Sequence, residues 1–291
     1  MIPQAFEYVA PKTLDEAISL LQQHGEEAKI LAGGHSLIPM MKLRLASPQF
    51  LIDINGISGL DTIEESDGHL RIGAMTREVS LEESDLIRRK YPIILDTARM
   101  IADPQVRNLA TLGGNLAHGD PGNDHPATML ALGARILADG PDGERIIPIE
   151  DFFTDFFSTA LGPLEILTEI QVPIPAPSSG GAYLKLERRV GDFATVGVAA
   201  QIGLEDDGIC KSAGIGLTNV GPTPLKATQA GAALIGKKID EGSIREAARL
   251  AAEASQPSPD LRGPEDYKRA MVAELTKRAL SAALQRAEGG D

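Results

Sequence analysis

The stretch "LAGGHSLIPMMKLRL", Leu31 to Leu45, decides how this chain is read. An apolar run, "AKILA", enters two adjacent glycines, Gly33 and Gly34, and the chain then continues through His35 and Ser36 into Leu37. Glycine loses more backbone freedom on folding than any other residue, so a pair there marks a tight turn or a body that must approach the main chain closely. A turn bare of side chains presents consecutive N–H groups, an arrangement that receives anions. The device recurs in "ATLGGNLAHGD", where Gly113 and Gly114 precede Asn115 and Leu116. Two such nests on separate loops suit two linked phosphates, the shape of a dinucleotide pyrophosphate. Two ordinary turns would be spelled the same way. On pattern alone both readings stand.

Other motifs give less. No G-x-G-x-x-G occurs, so a Rossmann site has no support. "GAALIGKK", Gly231 to Lys238, imitates a phosphate loop, but Lys238 stands where a magnesium-binding Ser or Thr is needed. It reads instead as a helix with a glycine stop. "HGDPGNDHP" collects His118, Asp120, Asp124 and His125 without regular ligand spacing, which favours a polar loop over a metal site. Ser36 lacks the nucleophile-elbow pattern, and Cys210 sits in a strand-like run. No catalytic residue and no metal ligand is expected.

Formal net charge is −13, which disfavours a nucleic-acid partner, since phosphate backbones need a cationic surface. There is no tryptophan, and aromatic residues make up 4%, so extended base stacking is also disfavoured. The single cysteine excludes an internal disulfide framework and any cysteine-built cluster within this chain. No apolar run approaches the roughly 20 residues of a membrane span, and no secretion signal is evident at "MIPQAFEYVAPK". A cytoplasmic location is the expectation.

Along the chain, "FEYV" and "AKILA" read as strands flanking a helix that opens with a Thr13–Glu16 capping box and ends at Gly25. "FLIDI" and "HLRIGAM" are further strands, and "SLEESDLIRRKYPIILDTARMI" is helical, capped at Ser80 and Glu83 and interrupted at Pro92. Pro126 suits a first helical turn, and "RILADGPDGERIIPI" is a hairpin. The Pro/Ser/Gly run near residues 174 to 181 marks a domain boundary. Beyond it, "AYLKLERRV", "FATVGVAAQIGL" and "GICKSAGIGLTNVG" suggest a three-stranded antiparallel sheet. "PLKATQAGAALIG", "EGSIREAARLAAEA" and "PEDYKRAMVAELTKRALSAALQRA" read as three helices. The expected class is α+β.

Together, "AGGHSLIPMMKLRLASPQFLIDI", "ATLGGNLAHGDPGNDHPATMLALGA" and "LERRVGDFATVGVAA" resemble the flavoprotein (medium) subunit of the molybdenum hydroxylases, of the carbon-monoxide-dehydrogenase and xanthine-dehydrogenase type. The resemblance covers essentially the whole chain. It implies a two-subdomain FAD-binding fold of the vanillyl-alcohol-oxidase (PCMH) type over residues 1–177, with subdomains about 1–55 and 56–177, and a C-terminal α+β domain over 178–291. It places Ala32, Gly33, Gly34, His35, Ser36 and Leu37 in the first FAD loop and Thr111, Gly113, Gly114 and Asn115 in the second. Asp124 is expected on the adenosine ribose, Ile101 near the isoalloxazine, and Leu161 and Lys185 at further FAD contacts. Asp192 and Phe193 lie in the "GDFA" signature, where the ring either covers the flavin or fills core.

The same resemblance implies noncovalent FAD, although some relatives of this fold attach FAD through histidine. It implies a molybdopterin-bearing large subunit and a [2Fe-2S] small subunit as partners, assembled as a dimer of heterotrimers. Electrons would pass from those clusters through FAD to a quinone, NAD or oxygen. The whole complex's substrate (carbon monoxide, a purine, an aldehyde or an N-heterocycle) binds the molybdenum subunit and is not written in this chain. The rivals are a stand-alone flavin oxidase and an assembly subunit with purely structural FAD.

Overall fold

The structure, a computed structural model, describes residues 2–290. Its first elements follow from local chemistry. After strand β1 (Glu7–Val9), the Thr13 hydroxyl accepts from the Glu16 N–H at 3.2 Å and starts α1 (Leu14–His24), whose Ala17, Ile18 and Leu21 are buried. The Glu16 carboxylate closes on the Lys12 N–H at 2.7 Å, so only half of the expected box forms on Thr13. β2 (Ala28–Leu31), α2 (Leu37–Leu43) and β3 (Phe50–Asp53) complete the first unit, a parallel sheet in the order β1-β3-β2. The glycine turn lies between β2 and α2.

The second unit holds β4 (Ile63–Ser66), β5 (His69–Gly73), α3 (Glu78–Glu83), α4 (Asp85–Lys90), α5 (Pro92–Met100), α6 (Pro104–Arg107), α7 (Leu112–Ala117) and α8 (His125–Leu132). It closes with β6 (Arg135–Gly140), β7 (Gly143–Pro148), α9 (Ile149–Phe152), the small β8 (Phe153–Asp155)–β9 (Ser158–Thr159) ribbon and β10 (Ile166–Pro173). The antiparallel sheet runs β4-β5-β10-β6-β7. Here the capping expectation is corrected: Ser80 lies inside α3, and the cap is Ser84, whose hydroxyl accepts from the Ile87 N–H at 3.3 Å. Both serines precede acidic and apolar residues, and only the break between α3 and α4 distinguishes them.

The third unit is β11 (Ser179–Leu186), β12 (Val196–Leu204), β13 (Cys210–Thr218), β14 (Leu225–Lys226), α10 (Thr228–Ala232), α11 (Glu241–Ala254) and α12 (Glu265–Ala287). Its sheet has four strands, β11-β12-β13-β14, not the three expected. The extra strand has two residues, too short to show periodicity. Leu225 pairs with Leu217, and the Ala227 N–H donates to the Ile215 carbonyl at 2.8 Å, so the edge of β13 extends a segment that reads as helix.

Helix α8 joins the units. Every residue from His125 to Ala131 is buried, which fits a helix apolar all round and placed between two sheets. β13 accepts it because Gly214 and Gly216 have no side chain: a Cβ there would fall 1.9 Å from the Ala131 and Ala127 carbonyl oxygens, respectively. On the opposite face, Gly180 lets α12 approach β11. Arg286 of α12 then donates to Asp96 of α5 at 2.6 Å and to the Gly181 carbonyl at 2.5 Å.

Candidate functional site

The two glycine turns, roughly eighty residues apart in sequence, meet. A Cβ on Gly33 would lie 2.3 Å from the Leu109 carbonyl oxygen and 2.8 Å from the Ala110 Cα, so the first turn rests on the backbone leading into the second. A Cβ on Gly114 would lie 3.7 Å from the Ala32 Cβ. Gly34 has φ +75°, the left-handed region that glycine enters without a steric penalty.

The turns differ in what they offer. Among the described residues, no chain group accepts from the main-chain N–H of Gly33, Gly34, His35 or Ser36. Four donors are therefore free at one bend, as a nest requires. In the second turn the Gly113 N–H donates to the Ala74 carbonyl (2.9 Å), the Gly114 N–H to the Thr111 hydroxyl (3.2 Å) and the Asn115 N–H to the Thr111 carbonyl (2.9 Å). The expectation of two matching nests is corrected accordingly, because Thr111, capping α7, and the Ala74 carbonyl together consume those donors. What the second turn offers is a close glycine surface and the buried Asn115 Oδ1, which has no partner.

Beyond Asn115 a seam of hydrogen bonds and adjoining backbone links Asn123, Asp124, Lys185 and Met100. Asn123 Nδ2 donates to the Asn115 carbonyl at 2.8 Å, and Thr218 Oγ1 donates to the Asn123 carbonyl at 3.1 Å. Asp124, at the start of α8, makes no helix cap. Instead Tyr183 donates to its Oδ1 at 2.5 Å and Lys185 to its Oδ2 at 2.9 Å. Lys185, with its side chain 1% exposed, also donates to the Met100 carbonyl at 3.0 Å, beside the buried Ile101. Burial and the adjacent carboxylate push the Tyr183 phenol well above its ordinary value, so it remains a donor. Burial pushes the Asp124 carboxyl up, while Lys185 and Tyr183 pull it back.

Asp192 and Phe193 sit on the loop after β11. Arg188 and Arg262 donate to the Asp192 carboxylate at 3.1 and 3.0 Å, and Gly191, at φ +81°, lies on the backbone of Ala102. Phe193 is 51% exposed, with Cδ1 3.5 Å from where a Cβ on Gly122 would sit, so it lies at the surface beside Gly122 and outside the core. Leu161 follows β9 and packs against the core of the second unit; it approaches the seam only through the neighbouring ribbon, which touches Gly119.

The "HGDPGNDHP" residues diverge. His118 meets Phe157 edge-on, Asp120 accepts from the Gly122 N–H, Asp124 faces Lys185, and His125 pairs with buried Glu78 at 2.7 Å. Among the described residues no group of three or more His, Cys, Asp or Glu side chains is placed to hold a metal. The reading from sequence misses Asn55, Arg77, Tyr183 and Asn219. None of them carries a local sequence signal; Asn219 is recognised only in the structure, at φ +59° and with its side chain donating to the Ala194 carbonyl at 2.6 Å.

A nest of free amides beside a close glycine surface and an orphaned buried amide oxygen is an arrangement able to receive a linked diphosphate, as in a dinucleotide-binding protein. Residues 4–175 match the family model "FAD binding domain in molybdopterin dehydrogenase", and residues 181–283 match "CO dehydrogenase flavoprotein C-terminal domain". The chain belongs to the FAD-binding medium subunits of the molybdenum hydroxylases, of the CO-dehydrogenase and xanthine-dehydrogenase type. It is 46% identical over 286 residues to the carbon monoxide dehydrogenase medium chain of Hydrogenophaga pseudoflava, covering 98% of this chain and 99% of that one. It is 36% identical over 287 residues to the 6-hydroxypseudooxynicotine dehydrogenase complex subunit alpha of Paenarthrobacter nicotinovorans, covering 99% and 97%. A solved carbon monoxide dehydrogenase from Hydrogenophaga pseudoflava, lacking the Mo-pyranopterin moiety of its cofactor, superposes with a TM-score of 0.95 at 48% identity over 98% of this chain and 99% of that one.

Proposed function

We propose that this chain is the electron-transferring FAD subunit of a cytoplasmic molybdenum hydroxylase complex, working with a molybdopterin-bearing large subunit and a [2Fe-2S] small subunit. Bound FAD would supply a carrier that accepts electrons singly and releases them in pairs. The chain's own residues bind and shape. The free N–H groups of Gly33 to Ser36 take the diphosphate, the contact of Gly114 with Ala32 holds the two turns together beneath it, and Asn115 Oδ1 accepts from a hydroxyl of the ligand. Asp124, held by Lys185 and Tyr183, fixes the seam's far wall.

The carrying observation is the four free amides at a bend that only glycine can build. The single cysteine of the chain, Cys210, supports the placing of the iron–sulfur clusters on a partner chain, since such clusters need several thiolate ligands. FAD is held noncovalently in this reading, with the exposed His35 forming no bond to it. The relatives' names include carbon monoxide and a nicotine derivative, which supports a substrate chosen by the large subunit and not by this fold. The test is a spectrum of the purified chain followed by acid precipitation. A flavin spectrum that moves entirely to the supernatant is expected. A colourless chain that takes up no added FAD contradicts the reading.

A further inference from the structure

We propose that Arg77 is a positioning residue for FAD, clasping the two glycine turns together through Asn55 and so setting how tightly the diphosphate is held. This rests on the assignment of those turns to the FAD diphosphate made above. Arg77 belongs to the second unit, between β5 and α3, and Asn55 to the first, just past β3. The guanidinium donates through Nη1 to the Leu109 carbonyl and through Nη2 to Asn55 Oδ1 at 2.5 Å. Asn55 Nδ2 donates onward to the Ala32 carbonyl at 2.9 Å and to Asp53 Oδ1 at 2.6 Å, so its single acceptor and its amino group are all engaged. The Tyr8 hydroxyl steadies Asp53 from β1 at 2.5 Å.

Both ends of this relay lie at the cradle. Ala32 opens the first turn, and the Leu109 carbonyl is the atom that would collide with a Cβ on Gly33. The Arg77 backbone also bridges to Thr111, and the next N–H, that of Glu78, donates to the Ala110 carbonyl at 3.0 Å. One residue thus touches the flanks of both turns, across the junction of two subdomains.

The chemistry suits arginine alone. A planar fork reaches two diverging acceptors at once; an ammonium group keeps the charge but not that geometry. Both bonded acceptors are neutral oxygens, so no bonded carboxylate cancels the positive charge, and Asp53 and Asp61 act on it only through space. That charge stands behind amides that face a dianion.

The test uses the full chain stripped of FAD. Affinity for FAD is read from quenching of flavin fluorescence, ADP serves as competitor, and the apo-protein's melting temperature is recorded. Arg77→Lys and Asn55→Ala should each weaken FAD and ADP by a common factor of about tenfold, the size of one or two lost charge-assisted hydrogen bonds. The apo-protein's melting temperature should hold within a few degrees. The double variant should be no weaker than the worse single variant, since the relay is cut only once. Binding within twofold of wild type in either single variant, strictly additive losses, or an unchanged affinity with a lowered melting temperature would overturn the clasp. If Arg77→Lys does not fold, Asn55→Ala decides alone. Failure of ADP to compete in the wild-type chain would instead sink the diphosphate assignment.

Discussion

The carbonyl oxygen of Leu109 lies 2.3 Å from the point where a Cβ on Gly33 would sit. The obstacle is backbone, so no rotamer change relieves it. One chain segment thereby imposes glycine on another far away in sequence, and the cradle exists only while the two stay pressed together.

Gly33→Ala should therefore open the cradle. Overpacking of this kind costs about 1–3 kcal/mol, which predicts FAD binding weaker by between about fivefold and about 150-fold. The ratio of flavin to protein after purification and dialysis reads this directly. Full retention of FAD would show that the turns can separate without loss.

Lys185→Met should destabilise the chain by about 3–5 kcal/mol, because it leaves the buried Asp124 carboxylate without its cation. Adding Asp124→Asn to that variant should recover part of the loss, since the stranded charge is then gone. Denaturant unfolding of the FAD-free protein measures both. A Lys185→Met chain as stable as wild type would mean that Tyr183 alone satisfies Asp124.

The loop carrying Phe193 should loosen in acid. The Arg262 and Arg188 hydrogen bonds hold the Asp192 carboxyl below its ordinary range. Its folded value is depressed, so the loop's tether is present above the unfolded value of about 3.9 and is lost as pH falls through the lower folded value. The hydrogen-exchange protection of residues 188–193, taken relative to the intrinsic rate at each pH, should be constant down to about pH 4 and lower below. Asp192→Asn should show fast exchange already at neutral pH, and slow exchange in that variant would contradict the tether.

Gly216→Ala should unseat the C-terminal sheet from α8, because its Cβ would meet the Ala127 carbonyl oxygen at 1.9 Å. A melting temperature lower by about 3 °C is expected for a cost of about 2 kcal/mol in a chain of this size. Gly208→Ala is the contrasting case: its φ of +80° is strained, but no backbone atom lies within 4 Å. It should cost about 1 kcal/mol. Equal effects would point to backbone conformation, not the sheet–helix contact, as the source.

Much of the fold is legible locally. Thr13 and Pro92 start helices because capping and fixed φ act within a few residues, and the strand alternations and glycine stops are equally short-ranged. The resemblance of the glycine stretches to one flavoprotein family needed no coordinates. The two-residue β14 was beyond such reading, as was the choice of Ser84 over Ser80, because both follow from what a neighbouring element offers.

The sequence by itself determined the order of the three units, the two glycine turns and the residue types able to receive a dinucleotide. Only the tertiary structure decided that one turn keeps its amides free while the other spends them on Thr111 and Ala74. It also decided that Arg77 and Asn55 stand behind both, and that Lys185 meets Asp124. The physical reason is range: capping and turn geometry are written in neighbouring residues, whereas hydrogen-bond satisfaction and close backbone approach depend on groups brought together only when distant segments pack.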